Sequence, residues 1–176
     1  VNISFKPLNK KHFGLLLKWL NTPHVRKWWD TDIIWTKHSI EEKYHTYVKG
    51  FKLTNSKEKP IYPYIITIDD KEVGYIQYYN AYDFPREGYI ISGMPESLAS
   101  IDIFIGEVEF VGKGLGVGLV AKFLDEYVFS QFESIFIDPD INNKAAIHAY
   151  EKAGFKAVKQ EIDLSVIWMI KKRNNV

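Results

Sequence analysis

The 176-residue chain contains no cysteine. A disulfide framework and a thiolate zinc site are therefore both excluded. No run of apolar residues approaches the roughly 18 needed to cross a bilayer, so no membrane span is expected. No segment at the start has the pattern of a signal peptide. Together with the missing cysteines this gives the expectation of a cytoplasmic protein. Excess charge of one sign is missing too: 23 Lys and Arg against 22 Asp and Glu leave a formal net charge of +1. A nucleic-acid binder would show a basic face, and none is visible. The basic groupings are short and read as solvated surface: Lys57 and Lys59 in an expected loop, broken by Glu58, and Lys171-Lys172-Arg173. The five histidines (His12, His24, His38, His45, His148) lack metal-binding spacing and read as surface or capping residues, so no metal is expected.

Aromatic residues, by contrast, are plentiful: 11 Tyr, 11 Phe and 5 Trp. A chain of this length reads as one domain over residues 1–176 and can bury about 70% of its unfolded surface. Strands are expected at 3–8, 62–68, 72–79, 100–105, 134–137, 155–159 and 166–171. Helices are expected at 10–20, in a short segment from Pro23 carrying Val25, Trp28 and Trp29, at 39–49 behind a Ser39-Ile40-Glu41-Glu42 capping box, from the glycines to about 130, and at 143–153. Asp69-Asp70-Lys71 reads as a hairpin turn without glycine. Residues 81–98 form a long irregular stretch, read as a lid or substrate loop. The order is that of a mixed α/β sheet flanked by helices, not a repeated βαβ winding.

Gly112-Lys113-Gly114-Leu115-Gly116-Val117-Gly118 joins a strand to a helix. Such glycines let backbone approach an anion, and the helix start supplies unpaired N–H groups. The dinucleotide pattern G-x-G-x-x-G fails in both registers, because Val117 and Leu119 occupy the last position. The Walker pattern fails because Gly114, not Ser or Thr, follows Gly112-Lys113. What remains is x-x-x-Gly114-x-Gly116, a pyrophosphate turn of acetyl-CoA-dependent transferases, or else a tight turn that binds nothing.

The chain resembles the GNAT superfamily of N-acetyltransferases, and within it the aminoglycoside 6′-N-acetyltransferases. The resemblance rests on Val111–Gly116 and on the stretch from Asn142 through Tyr150 to Phe155, which is similar to the second signature helix. It also rests on Lys18-Trp19-Leu20-Asn21, Lys27-Trp28-Trp29, Tyr62-Pro63-Tyr64-Ile65, Val73-Gly74-Tyr75-Ile76-Gln77, Ile101-Asp102 and Ile137-Asp138-Pro139. It implies a mixed, mostly antiparallel central sheet flanked by helices, with acetyl-CoA as cosubstrate. It also implies an antibiotic-modifying activity on a small-molecule primary amine, with no nucleic acid or membrane partner, in a monomer or homodimer. It assigns acid-base work at the acceptor amine to Asp102 and service of the departing thiolate to Tyr150. Coenzyme contacts fall to Phe104, Ile105, Val111, Gly112, Lys113, Gly114, Leu115, Gly116 and Asn143. Acceptor contacts fall to Trp28, Trp29, Tyr64, Gln77 and Asp138. Two departures stand out. Position 111, often Gln or Arg in the superfamily, is Val111, and the stretch 89–96 carries one carboxylate, Glu96, where the aminoglycoside enzymes tend to carry more.

The chemistry is consistent with these assignments. A protonated amine has no lone pair, so a proton must leave before attack, and a carboxylate can orient the ammonium and accept or relay that proton. Asp102 sits on the strand face opposite Ile101, Ile103 and Ile105, which suits either a cleft or solvent. Tyr150 reads as a proton donor to a thiolate or as a packing aromatic, and Asn143 as a helix cap or a coenzyme contact. Trp28 and Trp29 either flank an acceptor or pack. The rivals are an acetyltransferase for another amine, such as hydroxylysine in siderophore assembly, and a non-enzymatic coenzyme A-binding module.

Overall fold

In a computed structural model the chain is described over residues 1–174. The elements run β1 (Ile3–Pro7), α1 (Phe13–Leu20), α2 (Pro23–Arg26), α3 (Lys37–Val48), β2 (Phe51–Thr54), β3 (Lys57–Pro60), β4 (Tyr62–Ile68), β5 (Lys71–Asn80), β6 (Leu98–Ile105), α4 (Leu115–Phe123), β7 (Ser134–Ile137), α5 (Lys144–Lys152), β8 (Lys156–Glu161) and β9 (Val166–Lys172). Seven strands form one mixed, mostly antiparallel sheet in the order β1-β4-β5-β6-β7-β9-β8, and β2 with β3 forms a separate hairpin. The chain divides into two compact units. The first holds Val1–Gln77 and Asp102–Lys113; the second holds Tyr78–Ile101 and the chain from Gly114 onward.

In the first unit β1 lies antiparallel to β4, with Phe5 opposite Ile66. The buried side chains are Leu16, Trp19 and Leu20 of α1, Ile40, Tyr44 and Tyr47 of α3, and Ile65, Ile66, Val73, Tyr75 and Phe104 of the strands. The turn between β4 and β5 puts both Asp69 (φ 48°) and Asp70 (φ 67°) in the left-handed region. Asp tolerates that region better than most residues because its side chain is short and polar; Asp69 Oδ1 also anchors the turn to the start of the chain, accepting the Asn2 N–H at 2.8 Å. Gly74 is required by close approach. A Cβ there would stand 2.4 Å from the Phe104 carbonyl oxygen.

In the second unit β6 runs parallel to β7, from Leu98 opposite Ser134 to Ser100 opposite Phe136. A parallel pair needs a crossover helix, and α4 supplies it. α4 passes into a π-helical turn, Leu124–Val128, where the Phe129 N–H reaches back to the Leu124 carbonyl at 2.9 Å. Strand β9 is antiparallel to both β7 and β8. Leu119, Val120, Phe123, Leu124, Ile135, Phe136, Trp168 and Met169 are buried.

Several sequence expectations need correction. The α3 cap is Thr36, not Ser39. Thr36 Oγ1 accepts the Ser39 N–H at 3.1 Å and Ser39 Oγ accepts the Thr36 N–H at 2.8 Å, so Ser39 fills the third helical position. Trp28 and Trp29 lie beyond α2, which is only 4 residues long, in a turn that Asp30 (φ 46°) closes. Lys57 and Lys59 belong to strand β3 rather than a loop. Their hairpin turns at Asn55 and Ser56 (φ 50° and 64°), a glycine-free turn of the same kind as Asp69-Asp70. The C-terminal basic residues are not simply solvated. Lys171 Nζ donates to the Ala153 carbonyl at 2.7 Å and Arg173 Nη1 to the Phe129 carbonyl at 2.9 Å, each satisfying a carbonyl at a helix end.

Gly74→Ala is expected to lower stability by about 1–3 kcal/mol, because the methyl group meets backbone that cannot rotate away; urea unfolding measures it. His12 supplies a pH test. It is buried, its Nδ1 accepts the Asn9 N–H at 3.0 Å, and its Nε2 lies 2.8 Å from Glu72 Oε2. Burial lowers its pKa from 6.5, with Glu72 opposing only in part. Between the two pKa values the unfolded chain binds more protons. Its contribution is thus complete above pH 6.5 and lost as pH falls through the folded value. Unfolding midpoints compared between neutral and mildly acidic buffer should fall less in His12→Asn, which keeps an acceptor but does not titrate.

Candidate active site

Asp102 stands half-buried on β6 in the first unit, at the end of a hydrogen-bond chain. Gln77 Nε2 donates to Asp102 Oδ2 at 2.8 Å, and the buried Tyr75 hydroxyl donates to Gln77 Oε1 at 2.5 Å. The Tyr75 ring stacks on Phe104 with centroids 5.6 Å apart. Trp29 meets Phe104 edge-on at 5.0 Å and Tyr75 at 6.1 Å. Four of the residues singled out in the sequence, Trp29, Gln77, Asp102 and Phe104, are thus brought together. Trp28 is 40% exposed, with Lys27 Nζ 5.1 Å above its ring. Tyr64 is half-buried on β4, in register with Pro7.

The sequence did not point to the groups that share this surrounding. Tyr44 packs against Tyr75 at 6.0 Å and Tyr47 at 5.0 Å. Burial pushes both hydroxyls of Tyr44 and Tyr47 well above the usual phenol range, and the charges of Asp30 and Asp102 add to it. Lys43 Nζ lies 3.5 Å from Asp30 Oδ2 and 5.2 Å above the Tyr44 ring. Burial and the Lys43 ammonium push the Lys52 amine down, while Asp102 and Asp30 pull it up. Lys43 and Asp30 thus pair in this surrounding, and the charges of Asp102 and Asp30 act on Tyr44, Tyr47 and Lys52. Only the helical spacing of Tyr44 and Tyr47 was visible beforehand, and it signals a core face rather than a site.

Beyond Asp102, the chain is pinned before it reaches the glycines. His24 Nε2 donates to the Ile105 carbonyl at 2.9 Å; the carbonyl can only accept, so the histidine carries its proton there. The Gly106 and Glu107 N–H groups both reach the Val73 carbonyl, at 2.8 and 3.1 Å. Gly106 lies flat on Trp19, where a Cβ would come within 2.1 Å of the indole. Glu107 accepts from Lys18 Nζ at 2.8 and 3.1 Å and from Trp19 Nε1 at 3.2 Å, and the Lys18 bond holds its carboxyl below the usual range. Glu107 thus ties α1 to the chain ahead of the glycine turn, and no sequence motif marks it.

At the glycine turn, Gly112 and Gly114 both have φ 72°, a conformation that favours glycine. Lys113 and Val111 are exposed beside them. Gly114 caps α4 with no side-chain bond, and no acidic residue sits in the first turn. The N–H groups of Leu115, Gly116 and the next residue thus lack a side-chain partner, which is the makeup of an anion site. A Cβ at Gly112, Gly114 or Gly118 would meet nothing within 4 Å, and one at Gly116 only Ala149 at 3.9 Å. Glycine within a helix costs about 1 kcal/mol relative to alanine. Internal packing does not account for that cost at Gly116 and Gly118. A group approaching the backbone from outside would account for it, and a coenzyme pyrophosphate fits that description.

In the second unit Asn143 caps α5, its Oδ1 accepting the Ala146 N–H at 3.2 Å, so its default capping role is the one seen. Tyr150 is half-buried on α5, its ring edge-on to Phe155 at 5.6 Å. Asp138 follows β7 and is paired: Oδ1 accepts from Arg86 Nη1 at 3.0 Å and Oδ2 from the Tyr89 hydroxyl. The stretch expected as a lid is packed down. Tyr89, Ile91 and Met94 cover a buried cluster of Ala81, Leu98, Phe136 and Trp168, and the Tyr82 hydroxyl donates to the Pro95 carbonyl at 2.6 Å. Among the described residues no group of three His, Asp or Glu side chains could hold a metal. No helix among them is long and apolar enough to cross a membrane.

Comparison with known proteins agrees with this geometry. Residues 9–164 match the acetyltransferase (GNAT) domain family. The chain is 28% identical over 158 residues to aminoglycoside N(6′)-acetyltransferase type 1 of Klebsiella pneumoniae, covering 88% of this chain and 74% of that protein. It superimposes on AAC(6′)-Ib in complex with ribostamycin and coenzyme A with a TM-score of 0.82 and 26% identity, over 98% of this chain and 94% of the other. Spermidine N-acetyltransferase from Vibrio cholerae, at 17% identity, shares the fold with a TM-score of 0.74 over 97% and 95% of the two chains. With an uncapped glycine-built helix start, a half-buried strand carboxylate and a family match over most of its length, the chain belongs to the GNAT family and is an acetyl-CoA-dependent N-acetyltransferase.

Proposed function

We propose that the acceptor is the 6′-amine of an aminoglycoside and that Asp102 is its acid-base residue. The observation that carries this reading is the Tyr75–Gln77–Asp102 chain set among Trp29, Phe104 and Tyr44. It supplies a fixed carboxylate for an ammonium, with the half-buried Trp29 as an aromatic neighbour for a sugar ring. The aminoglycoside enzymes among the relatives support the substrate class. Gln77 orients Oδ2, and the acceptor ammonium meets the other carboxylate oxygen and gives up its proton there. Acetyl-CoA supplies an activated acetyl thioester. Gly112, Gly114 and the start of α4 hold its pyrophosphate, with Phe104, Ile105, Val111, Lys113, Leu115 and Gly116 lining it. The Tyr150 hydroxyl donates its proton to the departing sulfur.

A second reading has an observation in its favour. The Lys43 ammonium lies beside Asp30 and over the Tyr44 ring, and a cation there suits an amine that also bears a carboxylate, such as hydroxylysine.

Asp102→Asn and Tyr150→Phe should keep the melting temperature of the wild type while lowering turnover about 10²-fold or more. Thiol release from acetyl-CoA with kanamycin-type aminoglycosides measures this, and near-wild-type rates remove the role. Gly116→Val should fold, since its nearest neighbour is Ala149. Its KM for acetyl-CoA should rise at least about tenfold, a loss of about 1.4 kcal/mol in binding, with little change in the KM for the amine.

A further inference from the structure

We infer that Glu107 is a positioning residue for the coenzyme: it fixes the near flank of the glycine turn, so that the turn meets the pyrophosphate in one conformation. This rests on the proposed placing of the pyrophosphate at that turn. Glycine loses more backbone freedom than any other residue when it is fixed. The turn carries glycine at 112, 114, 116 and 118, so that cost falls on coenzyme binding unless the flank is already held. The flank is held at Glu107, where every polar group of the residue is engaged. Its N–H donates to the Val73 carbonyl at 3.1 Å, and its carbonyl accepts the Phe110 N–H at 3.0 Å. Oε1 accepts from Lys18 Nζ at 2.8 Å and from Trp19 Nε1 at 3.2 Å, and Oε2 accepts from Lys18 Nζ at 3.1 Å.

The first backbone bond ties the flank to β5. The second opens the single helical turn Val108–Phe110, which leads to Val111 and Gly112. Helix α1 supplies both side-chain donors. Trp19 is fully buried and its indole also carries Gly106, so this anchor cannot shift without disturbing the core. All of these groups lie in the first unit, which runs unbroken from Asp102 to Lys113. Two neighbouring contacts are weaker anchors. Lys71 Nζ meets Glu109 Oε1 at 2.5 Å, but both side chains are half exposed, and exposed ion pairs contribute little. His24 holds the Ile105 carbonyl at 2.9 Å and so acts on the strand end rather than on the turn. The Glu107 side chain is only 12% exposed, and its bonds to Lys18 are charge-assisted. Lys18 has a second effect. A bare carboxylate ahead of an anion site repels phosphates, and the Lys18 ammonium offsets that charge.

Titration calorimetry of acetyl-CoA compares wild type, Glu107→Leu, Glu107→Gln, Lys18→Met and Gly116→Val, each well below its melting temperature so that only folded protein is titrated. Glu107→Leu, which keeps bulk but accepts nothing, should weaken binding at least about tenfold. Glu107→Gln, whose amide oxygen still accepts from Trp19 Nε1, should stay within about threefold of wild type. Lys18→Met leaves the carboxylate bare and should weaken binding about fivefold. Its position is 60% exposed, so it serves as the test should Glu107→Leu not fold. Unchanged affinity in Glu107→Leu, or in Lys18→Met where that variant replaces it, beside a weakened Gly116→Val overturns the inference alone and leaves Glu107 a stabilising contact. Equal weakening in Glu107→Gln and Glu107→Leu also overturns it, because the accepting oxygen is then not what matters. Unchanged affinity in Gly116→Val overturns the pyrophosphate reading beneath it.

Discussion

Strand β6 lies so close to β5 that no side chain fits between Gly74 and the Phe104 carbonyl. Much of the first unit's site depends on that approach. It brings Gln77 within 2.8 Å of Asp102 and stacks Tyr75 on Phe104. It also carries Gly106 and Glu107, just past the end of β6, onto the Val73 carbonyl. A half-buried carboxylate is costly unless hydrogen-bonded. The Gln77 amide offsets that cost, and the fully buried Tyr75 in turn fixes the amide. Asp102 is therefore held by a strand pair and by side chains that cannot easily turn.

The glycine turn follows a different logic. Asp102 is held by filled space, whereas the turn is defined by space left empty. Trp19 and Glu107 anchor its approach, and His24 ties down the strand end before it. Past that anchor the chain gives up side chains at four positions in seven, two of them inside a helix where glycine is unfavourable. The helix start keeps its donors uncapped. Stability is sacrificed at a helix start whose open donors suit a negatively charged group, and such a sacrifice is a recurring mark of a binding site.

Ion pairs recur in both units. Lys43 lies 3.5 Å from Asp30 in the first, and Arg86 donates to Asp138 at 3.0 Å in the second. The relatives named for aminoglycosides share the fold, yet a fold shared with a spermidine enzyme cannot choose the acceptor. That choice belongs to side chains rather than to the fold.

The sequence alone determined the order of strands and helices, the glycine turn and the strand position of Asp102. Each of these is written in local spacing: alternation on β6, helical periodicity on α1 and α4, and glycine exclusion of the rival phosphate patterns. The β2–β3 hairpin escaped because Asn55-Ser56 makes its turn without glycine and three of the four residues of β3 are charged. The packing of residues 81–97 escaped because Tyr89, Ile91 and Met94 show no period and find their partners only in the folded unit. Tertiary structure alone decided that Gln77 donates to Asp102 across 25 positions of sequence, and that Arg86 and Tyr89 pair with Asp138 across 52 and 49. Composition counts charges, but only the fold brings them within a few ångströms, where they cancel or remain available to a substrate.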